Sequence, residues 1–295
     1  PDPDALASAL AMSELFASHG HSSQIVHGGT IEHHQNQAMV RELAIPVRRL
    51  ILDWEITDLI KESDIIVAVD FHRPGANNIM PTNCIPHIII DHHTVDDSVT
   101  ADLAMVSSEY SSTSSMVASL LMSSDFAMNS RVATALAFGI KTDTLGFTRN
   151  FNAVDVRALL WINAWVNKDK LRAIEMPPRS IAALESFSNA LSDKQQIDKL
   201  ILAPVHNLTD RDSLAQIAIK RKWPKTPILT TIAIEGDGYD LISIDDISFS
   251  AMQDRIRGWE RKEGAITLEN YLSSSSDNSK VTIFCVDNPG PGALA

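Results

Sequence analysis

The chain has 295 residues, 44% of them hydrophobic and 21% charged, with a formal net charge of −12. That length carries two domains with cores of their own. The acidic balance excludes a protein that grips long nucleic acid through its overall charge, though a local basic patch is compatible with it.

Pro1-Asp2-Pro3-Asp4 opens onto Ala5-Leu6-Ala7-Ser8-Ala9-Leu10-Ala11-Met12, a helix-start signal followed by strong helix formers. One carboxylate would cap the helix; the second is free to serve a pocket. Ser23 to His27 reads as a short strand that turns at Gly28-Gly29. His33 and His34 read as exposed polar residues on a loop or first helical turn. Asp64-Ile65-Ile66-Val67-Ala68-Val69-Asp70 is a β-branched run that stops on a carboxylate, as a buried parallel strand would. Phe71 to Asn78 then holds Arg73, Pro74, Gly75, Asn77 and Asn78. This is turn chemistry at a strand's C-terminal end, where substrate contacts gather, and Arg73, Asn77 and Asn78 are candidates to touch a phosphate or base.

Ile88-Ile89-Ile90-Asp91-His92-His93 repeats the pattern, with His87 ahead of it as a structural residue. Two parallel strands ending level would bring Asp70 beside Asp91, His92 and His93, at the sheet edge where open α/β folds place their sites. Paired carboxylates repel unless cations lie between them. Mixed Asp and His donors suit Mn²⁺, with Mg²⁺ and Zn²⁺ as lesser candidates.

Ser111 to Ser115 puts hydroxyls at a helix start, read as caps. Arg131 to Ile140 is a second apolar helix, in which Gly139 permits close packing and beyond which Asp143 meets a loop. Helices are expected over 155–165 and 179–191, broken by Met176-Pro177-Pro178. Beyond lie strands starting at Lys199, over 228–234 and over 240–244, a helix over 213–222, a flexible Ser273–Ser276 tract and a frayed Pro-Gly end at 289–292. No internal repeat is evident. Cys84 and Cys285 form neither a disulfide framework nor a zinc signature, so a reducing cytoplasm is the expected setting. No stretch is long and apolar enough to span a membrane, and no signal peptide is visible.

Four stretches, Pro1-Asp2-Pro3-Asp4-Ala5, Val67-Ala68-Val69-Asp70, Asp91-His92-His93 and Gly139-Ile140-Lys141-Thr142-Asp143-Thr144, stand in the order of the four motifs of the DHH phosphoesterases. The chain resembles that family over roughly residues 1–220, nearest its archaeal RecJ-like members. The resemblance implies an α/β fold with a parallel-sheet catalytic domain, helices on both faces, at 1–165. A helical linker follows at 166–198, then a smaller α/β domain at 199–295 that diverges after about residue 222.

The resemblance also implies a two-Mn²⁺ site, with Mg²⁺ as a substitute. Asp2 and Asp4 would each hold one ion, Asp70 would bridge, and His92 and Asp143 would complete the second position. His93 would face the scissile phosphate and Asp91 would orient its neighbours. A His shortly ahead of the first motif, which the family also uses, would lie before Pro1. The glycine-rich loop ending in His, usual in the family's second domain, has no counterpart in 199–295. The implied reaction is in-line hydrolysis of short or single-stranded nucleic acid to 5′-mononucleotides. The rivals are a phosphatase or phosphodiesterase for pAp or a cyclic dinucleotide, and a non-catalytic binding module of the same fold. The expected partner is a short oligonucleotide or small nucleotide, with no membrane, and a homodimer is compatible with the sequence.

Overall fold

The computed structural model describes residues 1–31, 33–51, 59–60, 64–75, 78–95, 99–149, 151–178, 181–192, 195–197, 200–202, 228–233, 239–244 and 281–285. The chain divides into two units, one of residues 1–31, 38–175 and 261–288, the other of residues 32–37, 176–260 and 289–295. The break after Glu175 falls on the Met176-Pro177-Pro178 stretch.

The first unit is built on a parallel sheet. Its strands are β1 (Ser23–His27), β2 (Val47–Arg49), β3 (Ile65–Val69), β4 (Ile88–Asp91), β5 (Leu103–Val106) and β10 (Val281–Cys285), in the order β2-β1-β10-β3-β4-β5. Every neighbouring pair is parallel. All residues of β3 and β4 are buried, whereas the edge strands β2 and β5 each expose residues to solvent. A β-branched run without polar alternation is what a central parallel strand covered on both faces requires. Val69 pairs with Ile90, and the Asp70 amide donates to the Ile90 carbonyl at 2.9 Å, so the two polar strand ends finish level.

Strand β10 comes from the 199–295 stretch that the sequence reading gave to the smaller domain. It lies instead in the middle of the larger unit's sheet, paired over Val281–Cys285 with Ile65–Val69 and over Val281–Phe284 with Ser23–Val26.

Helix α1 (Pro3–Ser18) is capped by Asp2, whose Oδ1 accepts from the Ala5 amide at 2.8 Å, and carries Pro at its first position. Asp4 through Met12 are all buried, so the helix is a core element and not a surface one. Helix α2 (His34–Glu42) follows β1; His33, expected on an exposed loop or turn, is buried. Three further helices surround the site: α3 (Thr113–Met122), α4 (Ser130–Asp143) and α5 (Ala153–Ile162). Helix α1 packs on α3 and α4. At Gly139 an added Cβ would lie 2.2 Å from Ser114 Oγ and 3.1 Å from Ala7 Cβ. Ala7, Ser114 and Gly139 are thus the small residues that let three helices meet, and that meeting brings Asp4, the start of α3 and the end of α4 together. Helix α6 (Lys168–Glu175) closes the unit.

The second unit holds α7 (Ile181–Ser192) and a mixed sheet of β6 (Gln195–Ile197), β7 (Leu200–Leu202), β8 (Ile228–Ala233) and β9 (Tyr239–Ile244) in sequence order. The helix expected at 213–222, the serine tract, the Pro-Gly end and Asn77 lie outside the described residues. Among the described residues no helix is long and apolar enough to cross a membrane.

Candidate metal centre

Each acidic and imidazole group of the site sits at the end of an element. Asp4 is in the first turn of α1, Asp70 follows β3, Asp91 ends β4 with His92 and His93 after it, and Asp143 ends α4. A carboxylate in a helix's last turn opposes the macrodipole, so Asp143 is not there for helix stability. Asp70 has a left-handed backbone, φ 69°. That conformation is uncommon outside glycine, though Asp adopts it more readily than most residues, and it turns the chain sharply off the strand.

The donors converge on His92. Its Nε2 lies 3.4 Å from Asp143 Oδ2, 3.6 Å from Asp70 Oδ1 and 3.9 Å from Asp4 Oδ2. One ligand atom each from Asp4, His92 and Asp143 falls within a 4.8 Å cluster, and likewise one each from Asp70, His92 and His93. Of the six residues expected to carry metal or catalysis besides Asp91, Asp2 alone stands outside these clusters. It caps α1, close enough for its charge to raise the pKa of Asp4 and Asp70.

Asp4 and Asp70 are buried, Asp143 is partly exposed, and the three are crowded together. Burial first, then the charge of Asp2, lifts Asp4 to about 7, against hydrogen bonds from Ser114 and Thr113 that favour its charged form. Asp70 and Asp143 are raised well above the usual carboxylate range, again by burial first and then by the neighbouring carboxylates. Burial, then the His93 charge, pulls His92 down to about 4, so it is a neutral donor at pH 7. A set of buried carboxylates that resist ionisation, facing a neutral imidazole, is the donor chemistry of a hard divalent cation site.

Asp91 is different. Burial disfavours its charge, but hydrogen bonds from His72 and His93 outweigh that and hold it well below the usual range. His72 Nδ1 donates to Oδ2, and His93 Nδ1 donates to Oδ1 at 2.7 Å. Burial of His93 is outweighed in turn by this bond and by the Asp91 charge, which raise it to about 9. Asp91 thus accepts from two imidazoles at once.

Sequence reasoning missed three groups. His72 clamps Asp91. Thr113 and Ser114 donate backbone N–H groups to Asp4 Oδ2 and Oδ1, both at 2.7 Å, and Thr113 Oγ1 donates to Asp70 Oδ1 at 2.7 Å. The α3 start, capped by Ser112, thus meets protein carboxylates. Its run of hydroxyls was the available signal. Of the expected substrate contacts, Arg73 is exposed. Asn78 bonds its own loop, donating to the Arg73 carbonyl at 2.9 Å and accepting from Gly75 and Met80 at 3.2 and 3.1 Å. That geometry is the turn role of an Asn.

Residues 1–140 match the family described as DHH family, N-terminal domain. That match spans just under half of the chain. An uncharacterised protein of Methanocaldococcus jannaschii is 32% identical over 219 residues, 74% of this chain and 44% of its own length. The chain thus spans less than half of that relative. A Streptococcus mutans protein named a probable bifunctional oligoribonuclease and PAP phosphatase, NrnA, is 24% identical over 81% of this chain and 76% of its own. The crystal structure of an exopolyphosphatase-related protein from Bacteroides fragilis superposes with a TM-score of 0.60 at 21% identity. It covers 78% of this chain and 73% of that one, a likeness of fold.

Proposed function

We propose that the chain is a metal-dependent phosphoesterase that hydrolyses short or single-stranded nucleic acid to 5′-mononucleotides with two Mn²⁺ ions. The observation that carries the reading is the convergence of Asp4, Asp70 and Asp143 on the unprotonated His92. Asp4, Asp70, His92 and Asp143 would hold one cation, and Asp2 with the shared Asp70 would serve the other. Mg²⁺ is the next candidate. Bound cations would offset charge on the phosphate and ease ionisation of the attacking water. His93, kept protonated at neutral pH and tied to Asp91, supplies a cationic hydrogen-bond donor for a phosphate oxygen. Asp91 fixes the orientation of that imidazolium by accepting its Nδ1–H.

The net charge of −12 supports a small substrate over long duplex. A second reading, a phosphatase for pAp, draws support from the double name of the Streptococcus relative. Incubating the chain with Mn²⁺ and either a 5′-phosphorylated dinucleotide or pAp, and assaying nucleotide and phosphate release, separates the two. Bound Mn²⁺ with turnover of neither substrate would leave a binding module.

A further inference from the structure

The loop that leaves Asp143 carries side chains the metal site does not use. Thr144 is fully buried and organises it: Oγ1 donates to the Ile140 carbonyl at 2.7 Å and accepts from the Phe147 amide at 3.2 Å. The Thr144 carbonyl accepts from Thr148 and Arg149, both at 3.0 Å. Leu145 and Phe147 are held at φ 46° and 68°, conformations that bulky residues rarely adopt. So much local constraint presents an apolar surface. Leu145 is 52% exposed and Phe151 43%. The Phe147 and Phe151 rings meet edge to face with centroids 5.5 Å apart, and Phe147 is packed against the core. Arg149, from the same loop, places its charge near enough to Asp143 to favour that group's ionised form.

We propose that this loop is a nucleobase seat, with the base stacked on Phe151 and Arg149 beside the phosphate. Phe147 anchors the Phe151 ring, so the platform is rigid before the ligand arrives. An exposed aromatic on the same loop as a cationic side chain, next to a centre suited to phosphate, is the combination that binds single nucleotides without reading their sequence. Leu145 adds a second exposed apolar side chain to the same loop. The inference rests on the phosphoester reading above and names the part of the substrate that reading leaves open.

The test compares AMP with ribose 5-phosphate, which lacks the base, by calorimetry on the full chain with Mn²⁺ present. The seat predicts that AMP binds about ten-fold more tightly than ribose 5-phosphate, the order of one base–aromatic stack. In Phe151→Ala the two ligands should bind alike, and Phe151→Trp should keep the preference. Because Phe151 is exposed, the Ala variant removes little packing, and unchanged Mn²⁺ binding verifies its fold. A preference for AMP that survives Phe151→Ala, or no preference in the unaltered chain, overturns the seat. Turnover of a 5′-phosphorylated dinucleotide is assayed separately. Its absence would count against the hydrolase reading, while the binding comparison still decides the loop.

Discussion

Asp4 gives the sharpest quantitative handle. Its pKa rises from 3.8 to about 7 because burial and Asp2 disfavour its charge. A carboxylate whose folded pKa lies above its unfolded value stabilises the fold at low pH and loses that contribution as pH climbs through the folded pKa. The whole shift, about 3 units at about 1.4 kcal/mol each, amounts to roughly 4 kcal/mol. Between pH 5 and 7 about 2 kcal/mol of it should disappear. Asp4→Asn removes the titration while keeping the shape, and its single carbonyl oxygen meets only one of the Thr113 and Ser114 amides, a pH-independent penalty of about 1–3 kcal/mol. The other titrating groups are present in both proteins; Asp70 and Asp143, which the Asp4 charge helps to raise, are relieved in the variant, so their share moves the difference in the same direction. Urea unfolding in chelator at pH 5 and 7 should therefore show the parent losing about 2 kcal/mol relative to the Asp4→Asn variant. Mn²⁺ at about a hundred times its Kd should then return about 2.7 kcal/mol to the parent at pH 7, and markedly less to the variant. A parent-minus-variant difference that does not move between the two pH values would refute the reasoning.

Asp70→Ala should abolish Mn²⁺-dependent hydrolysis and leave the circular dichroism spectrum in chelator intact, since it removes the donor shared between both proposed positions. His93→Gln should lower kcat by about 10²–10³-fold, the range of a lost hydrogen-bond donor to transition-state charge, with Mn²⁺ affinity retained in a titration. Gly139→Val should cost about 1–3 kcal/mol of stability in urea, because its new Cβ meets Ser114 Oγ at 2.2 Å and Ala7 Cβ at 3.1 Å. Ile283→Asp, at a fully buried position in the centre of the sheet, should prevent cooperative unfolding of the first unit from being seen at all.

Much of the fold and the site was local enough to read. The β-branched runs ending at Asp70 and Asp91 fixed two strands and their level ends, since burial on both faces leaves no other pattern. Asp2 and Pro3 marked the α1 start, and Gly139 marked a close approach. The missed features join residues far apart. Nothing near Asp91 in sequence points to His72, and nothing near Asp4 points to the amides of Thr113 and Ser114, more than a hundred residues on. Strand β10 was hidden for the same reason, because its partner β3 lies more than two hundred residues earlier. One signal was present in the sequence. The Val281–Cys285 run leads toward Pro289-Gly290-Pro291-Gly292-Ala293-Leu294-Ala295, which repeats Pro1-Asp2-Pro3-Asp4-Ala5-Leu6-Ala7 with glycine in place of both carboxylates.

Charge counting ties the cluster to the number of cations proposed. Asp91 and the protonated His93 form one neutral pair, held by a 2.7 Å hydrogen bond, and need no counter-ion. Asp2, Asp4, Asp70 and Asp143 remain, four carboxylates whose full ionisation would place four negative charges around a neutral His92. The amides at the start of α3 and the Thr113 hydroxyl stabilise two of them, but hydrogen bonds do not cancel mutual repulsion in a buried patch. One divalent cation would leave two charges uncompensated, and a phosphate, itself an anion, would be repelled. Two would neutralise the carboxylates and leave His93 and Arg149 as the local positive charges for the substrate. The pKa directions follow the same logic: the groups raised by crowding are the ones a cation would relieve, and Asp91, already paired, is the one held low.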